Sequence, residues 1–326
     1  MANIYVTTTG ATTKTGATWA TAMDLAALKT HLDGSSSGAG DDIYMMQGTY
    51  TAVSDWAYTA LDGTSDNPWR FIGVKTGTTA EPPTQSDWSD KSDRPSLVWA
   101  DYNFSFDDHW QIYNFIGTSS LYGFRFDSNA LFYNCKFTST AASSSLSAIS
   151  CGAFDGRVIG CETITANGRG VKGNAGVMVF NHYSHDCSIG VYVGGEACNI
   201  INSILDTCTN AGIQVSGSRN SISIINNSIY NCTDGIDILA GSNPTILSNS
   251  FSSCTNGIIH ATSGQTGTFP DWNNYSGNTA DVTNVTKGGN ATANSPGYTD
   301  AANGDFTLGT SSAMREAGRP LDVGVG

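Results

Sequence analysis

The sequence predicts an all-β solenoid, and three observations carry that expectation. Four consecutive segments, "GVMVFNHYSHDCSIGVYVGGEA", "CNIINSILDTCTNAGIQVSGSRN", "SISIINNSIYNCTDGIDILAGSN" and "PTILSNSFSSCTNGIIHATSGQT", align over 176–266 with a length of 22 or 23 residues each. Inside each, apolar residues such as Ile222 and Ile224 alternate with polar ones over short runs. That is strand periodicity, and it excludes helix here. Gly and Asn separate the runs at repeating positions, the punctuation of sharp corners. Each segment therefore reads as one coil of two or three strands that buries its inward residues against the next coil.

Stacked coils bring each position directly above its own copy at about 4.8 Å, so like residues form ladders. Cys187, Cys208, Cys232 and Cys254 fall in one column, three or four residues before a Gly-Ile or Gly-Val pair. A small apolar thiol packs well there. Buried, reduced cysteines are expected, because a disulfide would require the stacked side chains to turn toward one another. No Cys-x-x-Cys occurs among the eight cysteines, which argues against zinc. Asn181, Asn202, Asn227 and Asn249 are expected to form a second column of stacked amides at a left-handed corner.

Upstream, "RFIGV" at 70, "WQIYNFIG" at 110, "LFYNCKF" at 131 and "RVIGCETI" at 157 fit the first strand of a coil, with Cys135 and Cys161 in a different column. Residues 75–95 and 139–148 read as projecting loops. Trp56, Tyr58, Trp69, Trp88, Trp99 and Trp110 concentrate in the same third of the chain. Stacking on sugar rings, burial at a subunit interface and core packing would each use them. An open solenoid end invites edge pairing, so caps are expected. "WATAMDLAALKTHLDG", 19–34, reads as an amphipathic capping helix ending at Gly34. The division expected is 1–40 for the N-terminal strand and capping helix, 41–268 for the coils and 269–326 for a terminal coil and cap.

The opening "IYVTTTG…TWATAMDLAALKTHL…DDIYMMQGTYT", followed by the coils, resembles the right-handed parallel β-helix proteins of the pectin-lyase-like superfamily. The resemblance implies a right-handed parallel β-helix over most of the chain. It also implies a choice of functions, since the superfamily includes pectate, alginate and chondroitin lyases, polygalacturonases and phage tailspikes, and fold does not choose among them.

A uronate lyase needs a basic or phenolic proton acceptor and a cation, Ca²⁺ among them, to neutralise the carboxylate. A glycoside hydrolase needs clustered carboxylates. Of the segments that mark polygalacturonases, only Asp-Asp occurs, at 41/42 and 107/108. Registering the corner glycines puts Lys172, Tyr192, Gln214, Asp237 and Ile259 in one outward column without paired carboxylates. The candidate catalytic residues, if the chain is an enzyme, are His182 and His185 of "NHYSHD", with Tyr183 and Asp186 beside them, and the basic pair Arg169 and Lys172 one coil earlier. Scattered polar residues beside a turn are the competing explanation. "GRGVKG" at 168–173 matches a dinucleotide fingerprint only literally, because no helix follows it.

A net charge of −13 disfavours nucleic acid as a partner, and no run of about 18 apolar residues suggests membrane insertion. The opening "MANIYVTTTG" lacks both regions of an export signal. These features together lead to the expectation of a virion structural protein, a spike-like or head-decoration β-helix made in the cytoplasm and displayed on the virion surface. A homotrimer is expected, with other virion proteins and surface glycans as partners and no cofactor. The alternatives are an extracellular polysaccharide lyase or glycoside hydrolase acting on an acidic polysaccharide, with Ca²⁺ or another cation neutralising the carboxylate if it is a lyase, and a cell-surface adhesin.

Overall fold

Successive coils contribute one strand to each of three parallel sheets, of 11, 10 and 10 strands. The computed structural model describes residues 2–35, 40–58, 61–100, 104–121, 123–141, 143–217, 220–239, 241–262 and 267–314. The architecture is the right-handed parallel β-helix that the repeat and the resemblance imply. One coil runs through Met178–Phe180 in the first sheet, Tyr183–His185 in the second and Ile189–Val193 in the third. Each pairs in register with the next coil, Asn199–Ile201, Ile204–Asp206 and Ala211–Val215. The four upstream runs fall on the first sheet as expected, within Trp69–Val74, Trp110–Tyr113, Leu131–Tyr133 and Arg157–Ile159.

Left-handed backbone makes the corners. Asn114, Asn134, Asn181, Asn202 and Asn226 all have φ between 51° and 62° at the exit of the first sheet, and Ser248 occupies the same place. Asn is the side chain that tolerates this region best after glycine. The expected asparagine column is therefore two columns. Asn181 and Asn202 stand at the corner, whereas Asn227 and Asn249 lie one residue later and face inward, fully buried.

That inward column is a hydrogen-bond ladder along the axis. Asn227 Nδ2 donates to Ile200 O and to Asn249 Oδ1, and Asn249 Nδ2 donates to Ile224 O and to Asn273 Oδ1. The backbone N–H groups of Ser203, Asn227 and Asn249 donate to the amide oxygen of the next coil at 2.8–2.9 Å. Cys135, Cys161, His182 and Ser203 precede the amides in the same column.

The glycines of the Gly-Ile and Gly-Val pairs lie within third-sheet strands, not at corners. A Cβ at Gly190 would sit 2.6 Å from the carbonyl oxygen of Gly212, and one at Gly235 would sit 2.4 Å from that of Gly257. Close stacking, not backbone freedom, requires them. All eight cysteines are buried and unbridged, and burial pushes the Cys187 and Cys232 thiols above the usual range.

The aromatics of the first third are core residues. Trp56, Trp69, Trp99 and Trp110 are fully buried, with Trp69 and Trp110 stacked at 5.3 Å and Trp56 and Phe104 at 5.1 Å. Trp88 is half-buried, and with Trp19 it covers the outward residues Tyr5, Tyr44, Ile72 and Tyr113 of the first sheet. Farther along, the same outward column continues as Tyr133, Ile159, Phe180, Ile201, Ile225 and Leu247. Tyr133 is 46% exposed, and the others are half-buried.

The capping helix is shorter than the sequence suggests, Leu25–Asp33. Trp19–Thr21 is a single 3-10 turn, and Ala22 is extended ahead of a bridge between Met23 and Val6. Asp24 caps the helix by accepting from the Ala27 N–H, and Leu28 and Leu32 seal the open end of the core. At the other end Val285 and Ala291 pack against the core. The hairpin Tyr298–Asp300 and Asp305–Leu308 then returns along the side of the stack, setting Phe306 against Tyr183 and Tyr230 of the second sheet. The remainder of the expected terminal cap, 315–326, lies outside the described residues.

The ladder makes a local prediction. Asn249→Ala strips Asn227 of two partners inside the core and is expected to cost about 2–3 kcal/mol in urea unfolding. Asn226→Ala at the exposed corner is expected to cost about 1 kcal/mol.

Candidate functional site

Alternation in third-sheet strands sends every second side chain outward. In-register pairing lines up Arg125, Ser150, Lys172, Tyr192, Gln214, Asp237 and Ile259, the outward column expected from Lys172 onward. Around Arg125, Ser150 and Lys172 lies a groove of about 450 Å³. Gly123, Ser147, Ser150 and Gly152 keep its lining low, Arg125 and Lys172 supply charge, Asp127 and Asn174 stand along one side and Ser145 and Leu146 approach from the preceding loop. Arg125 and Lys172 are two coils apart, roughly 10 Å at the strand spacing. Arg125 is 3.7 Å from Asp127, and both are well exposed. Such a pair contributes little and opens readily to a ligand.

Beyond Lys172, Arg169 lies with its guanidinium 3.7 Å from the centre of the Tyr192 ring. Gln214 Nε2 donates to Asp237 at 2.7 Å. Burial raises the Asp237 carboxyl above its ordinary range despite that bond. Four carboxylates gather beside the early coils, where burial together with Asp62, Asp108 and Asp127 pushes Asp107 up to about 6.

The second sheet carries a different cluster. His185 Nε2 meets Glu162 Oε1 at 3.2 Å and its Nδ1 meets Asp186 Oδ2 at 2.8 Å, while Lys136 Nζ donates to the same Glu162 oxygen at 2.7 Å. Hydrogen bonding from His185, aided by Lys136, holds Glu162 at about 2 against the opposing effect of burial. Burial pulls His185 down, but Glu162 and Asp186 outweigh it and its imidazole titrates above the usual range. Tyr183 stacks on His185 at 4.4 Å and donates to Asp206, and Phe306 packs beside it. Every strong hydrogen-bonding group here already has a protein partner.

The four residues picked out from sequence do not form one site. Lys172 lies in the groove and Arg169 beside it on the third sheet. His185 belongs to the second sheet. His182, treated as a surface candidate, faces the interior: it is 1% exposed, its Nε2 lies 2.9 Å from Thr163 Oγ1, and burial drives its pKa down to about 3. The strand order explains this, because His182 sits at the inward position that Asn227 occupies two coils later. Sequence reasoning missed Arg125, although the alternation in "FRF" places it outward between two buried rings.

The two histidines act oppositely on stability. His185 has a raised folded pKa, so its contribution is complete below about pH 6.5 and fades as pH rises through the folded value. His182 has a depressed one, so the unfolded chain takes up its proton first and stability falls as pH drops from about 6.5 toward 3. His182→Asn, which places in that column the amide that Asn227 supplies two coils later, is expected to remove about 3 kcal/mol of the loss between pH 7 and pH 4. Urea midpoints across that range measure it, and an unchanged acid limb would refute the assignment.

Comparison with solved structures sets this geometry among known folds. Pectate lyase Pel9A superposes with a TM-score of 0.64 at 13% identity, covering 99% of this chain and 93% of its own. The alginate lyase from Paenibacillus sp. str. FPU-7 gives 0.56 at 13% identity, covering 87% and 98%. Tailspike protein 3 of bacteriophage CBA120 gives 0.34 at 12% identity, covering 79% and 56%, an overlap too slight to carry an argument. These likenesses establish the fold alone. No curated protein matches the sequence. The model of the family described as "Periplasmic copper-binding protein (NosD)" matches residues 127–309, more than half of the chain.

Proposed function

Since the chain belongs to the family described as "Periplasmic copper-binding protein (NosD)", a β-helix family, we propose a function that rests on this chain's own groove: it binds an acidic polysaccharide along the outer face of the third sheet. The observation that carries this is the pairing of Arg125 and Lys172 above a low lining of Gly and Ser in the groove. Two cations at that spacing match carboxylates borne by neighbouring or next-neighbouring sugars. The net charge of −13 opposes an anionic ligand only weakly, because salt screens charges beyond about 8 Å and the local pair decides. In an elimination Arg125 would neutralise a uronate carboxylate, and Lys172, after losing its own proton, would take the proton of the adjacent carbon as the glycosidic C–O bond breaks, with Ca²⁺ as an added cation if it takes part.

Copper is a different matter. Among the described residues no group of three or more His, Cys, Asp or Glu side chains is arranged to hold a metal ion. His182 and the cysteines are sealed in the core, and His185 is engaged on both nitrogens. The residues present do not fit the metal in the family's description, and no step is drawn through it.

Titration of the protein with polygalacturonate, alginate and a neutral glucan, with and without Ca²⁺, tests the groove. Binding to the acidic polymers is expected, and Lys172→Ala and Arg125→Ala are each expected to weaken it roughly tenfold or more, the scale of a charged hydrogen bond. His185→Ala on the second sheet leaves it unchanged. Equal affinity for the neutral glucan, or indifference to both substitutions, overturns the proposal, and unsaturated-product absorbance in the same samples tells binding from cleavage.

Self-association on a virion surface has one structural support, the outward apolar column Tyr133, Ile159, Phe180, Ile201, Ile225 and Leu247. The chain's own Trp19 and Trp88 cover the earlier part of that column, and a second copy would cover the rest. Light scattering is expected to give a trimer that Phe180→Glu with Ile201→Lys reduces to monomer. A monomeric wild-type protein removes the support.

A further inference from the structure

The outward column of the third sheet changes charge along its length. After Ala57 and Ser105 come Arg125, Ser150 and Lys172, and the three after those are Tyr192, Gln214 and Asp237. Both groove cations lie in the stretch from Arg125 to Lys172, Arg125 in its exposed pair with Asp127. Arg169, the next basic group, is occupied by the Tyr192 ring. The second half carries the carboxylate of Asp237, which accepts from the neutral amide of Gln214 and has Asp234 on the same strand. Lys172 and Asp237 are three coils apart, roughly 14 Å at the strand spacing, beyond the distance over which physiological salt leaves one charge sensible to another. Asp237 therefore presents its charge to whatever lies across it.

A glycan running along the axis advances by about one sugar per coil, because the strand spacing of about 4.8 Å is close to the length of one pyranose in an extended chain. A polymer with a carboxylate on every sugar gains at Arg125 and Lys172 and then sets a like charge against Asp237. Resting on the acidic-glycan reading of the groove, we infer that the column selects an acidic segment of about three sugars followed by neutral sugar, in preference to an uninterrupted polyuronate. Asp237 is the specificity-determining residue. It acts by repelling the wrong ligand rather than by holding the right one.

The experiment is calorimetric titration with galacturonate oligomers of two to eight units against the wild-type chain, Asp237→Asn and Lys172→Ala. Asp237→Asn removes the charge and keeps an acceptor for Gln214. Affinity of the wild-type chain is expected to rise up to about three units and then stay flat or fall, since each further sugar lies over the uncharged or acidic half. Asp237→Asn is expected to keep rising, binding the longest oligomers several-fold more tightly than the wild-type chain does. Lys172→Ala is expected to weaken binding at all lengths. A wild-type affinity that climbs steadily with length and is matched by Asp237→Asn overturns the selection while leaving the groove standing. Failure of every oligomer to bind, with Lys172→Ala indistinguishable from the wild-type chain, overturns the groove reading and the selection with it.

Discussion

Everything in this molecule depends on in-register stacking at about 4.8 Å, which sets each side chain against its own counterparts in the coils above and below. The constraint is severe inside the core. A polar group there has no water to turn to, so leaving it without a bond along the axis is costly. The column Asn227, Asn249 and Asn273 meets this by linking the amide of each coil to the backbone of the preceding one. The column Gly190, Gly212, Gly235 and Gly257 meets a steric form of the same constraint, since the next coil's carbonyl occupies the space a Cβ would need. The left-handed corners are the remaining cost, and asparagines carry much of it.

Because one rule repeats, the fold was legible in the sequence wherever the rule was obeyed without interruption. The four regular repeats gave the period, the cysteine column and the outward column from Lys172 to Ile259. Legibility failed where two neighbouring positions carry the same residue type. "NN" at 226 and 227 holds one corner asparagine and one core asparagine, and composition cannot tell them apart; only the pairing of Ile201 with Ile225 does. Legibility was weaker at the first coils, where long loops break the period and sugar stacking, interface burial and core packing all stayed open for the tryptophans. There the core is filled with stacked rings, and the large side chains belong to its filling.

The candidate site was half legible for a related reason. Lys172 was found because its column could be counted from glycines, and Arg125 was missed because the count stopped at the irregular strand Ser147–Phe154, which breaks register between Cys151 and Phe154. His182 and His185 looked like one cluster because they are three residues apart. Strand alternation separates their fates, because an odd spacing puts them on opposite faces: His182 falls inside with Thr163, and His185 falls outside with Glu162. In a solenoid, proximity in sequence along a strand is poor evidence for proximity in chemistry when the spacing is odd, whereas a separation of 20 to 25 residues is good evidence for contact.

The three outer faces then divide the work. The first sheet shows apolar side chains that the chain covers over its early coils only. The second holds the tightly paired His185, Glu162 and Lys136 group, with the returning hairpin seated on Tyr183 and Tyr230, so its polar groups are already committed. Among the described residues the third combines a groove, the exposed charges of Arg125 and Lys172 and small residues that let a ligand approach the strands. On a rigid stack a ligand cannot gather its contacts by rearranging the protein; it must match the ladder's spacing and the order of charges along it. Specificity on such a surface is therefore a property of sequence along a column. The change from Arg125 and Lys172 to Gln214 and Asp237 is the part of this column that a uniform polymer cannot match.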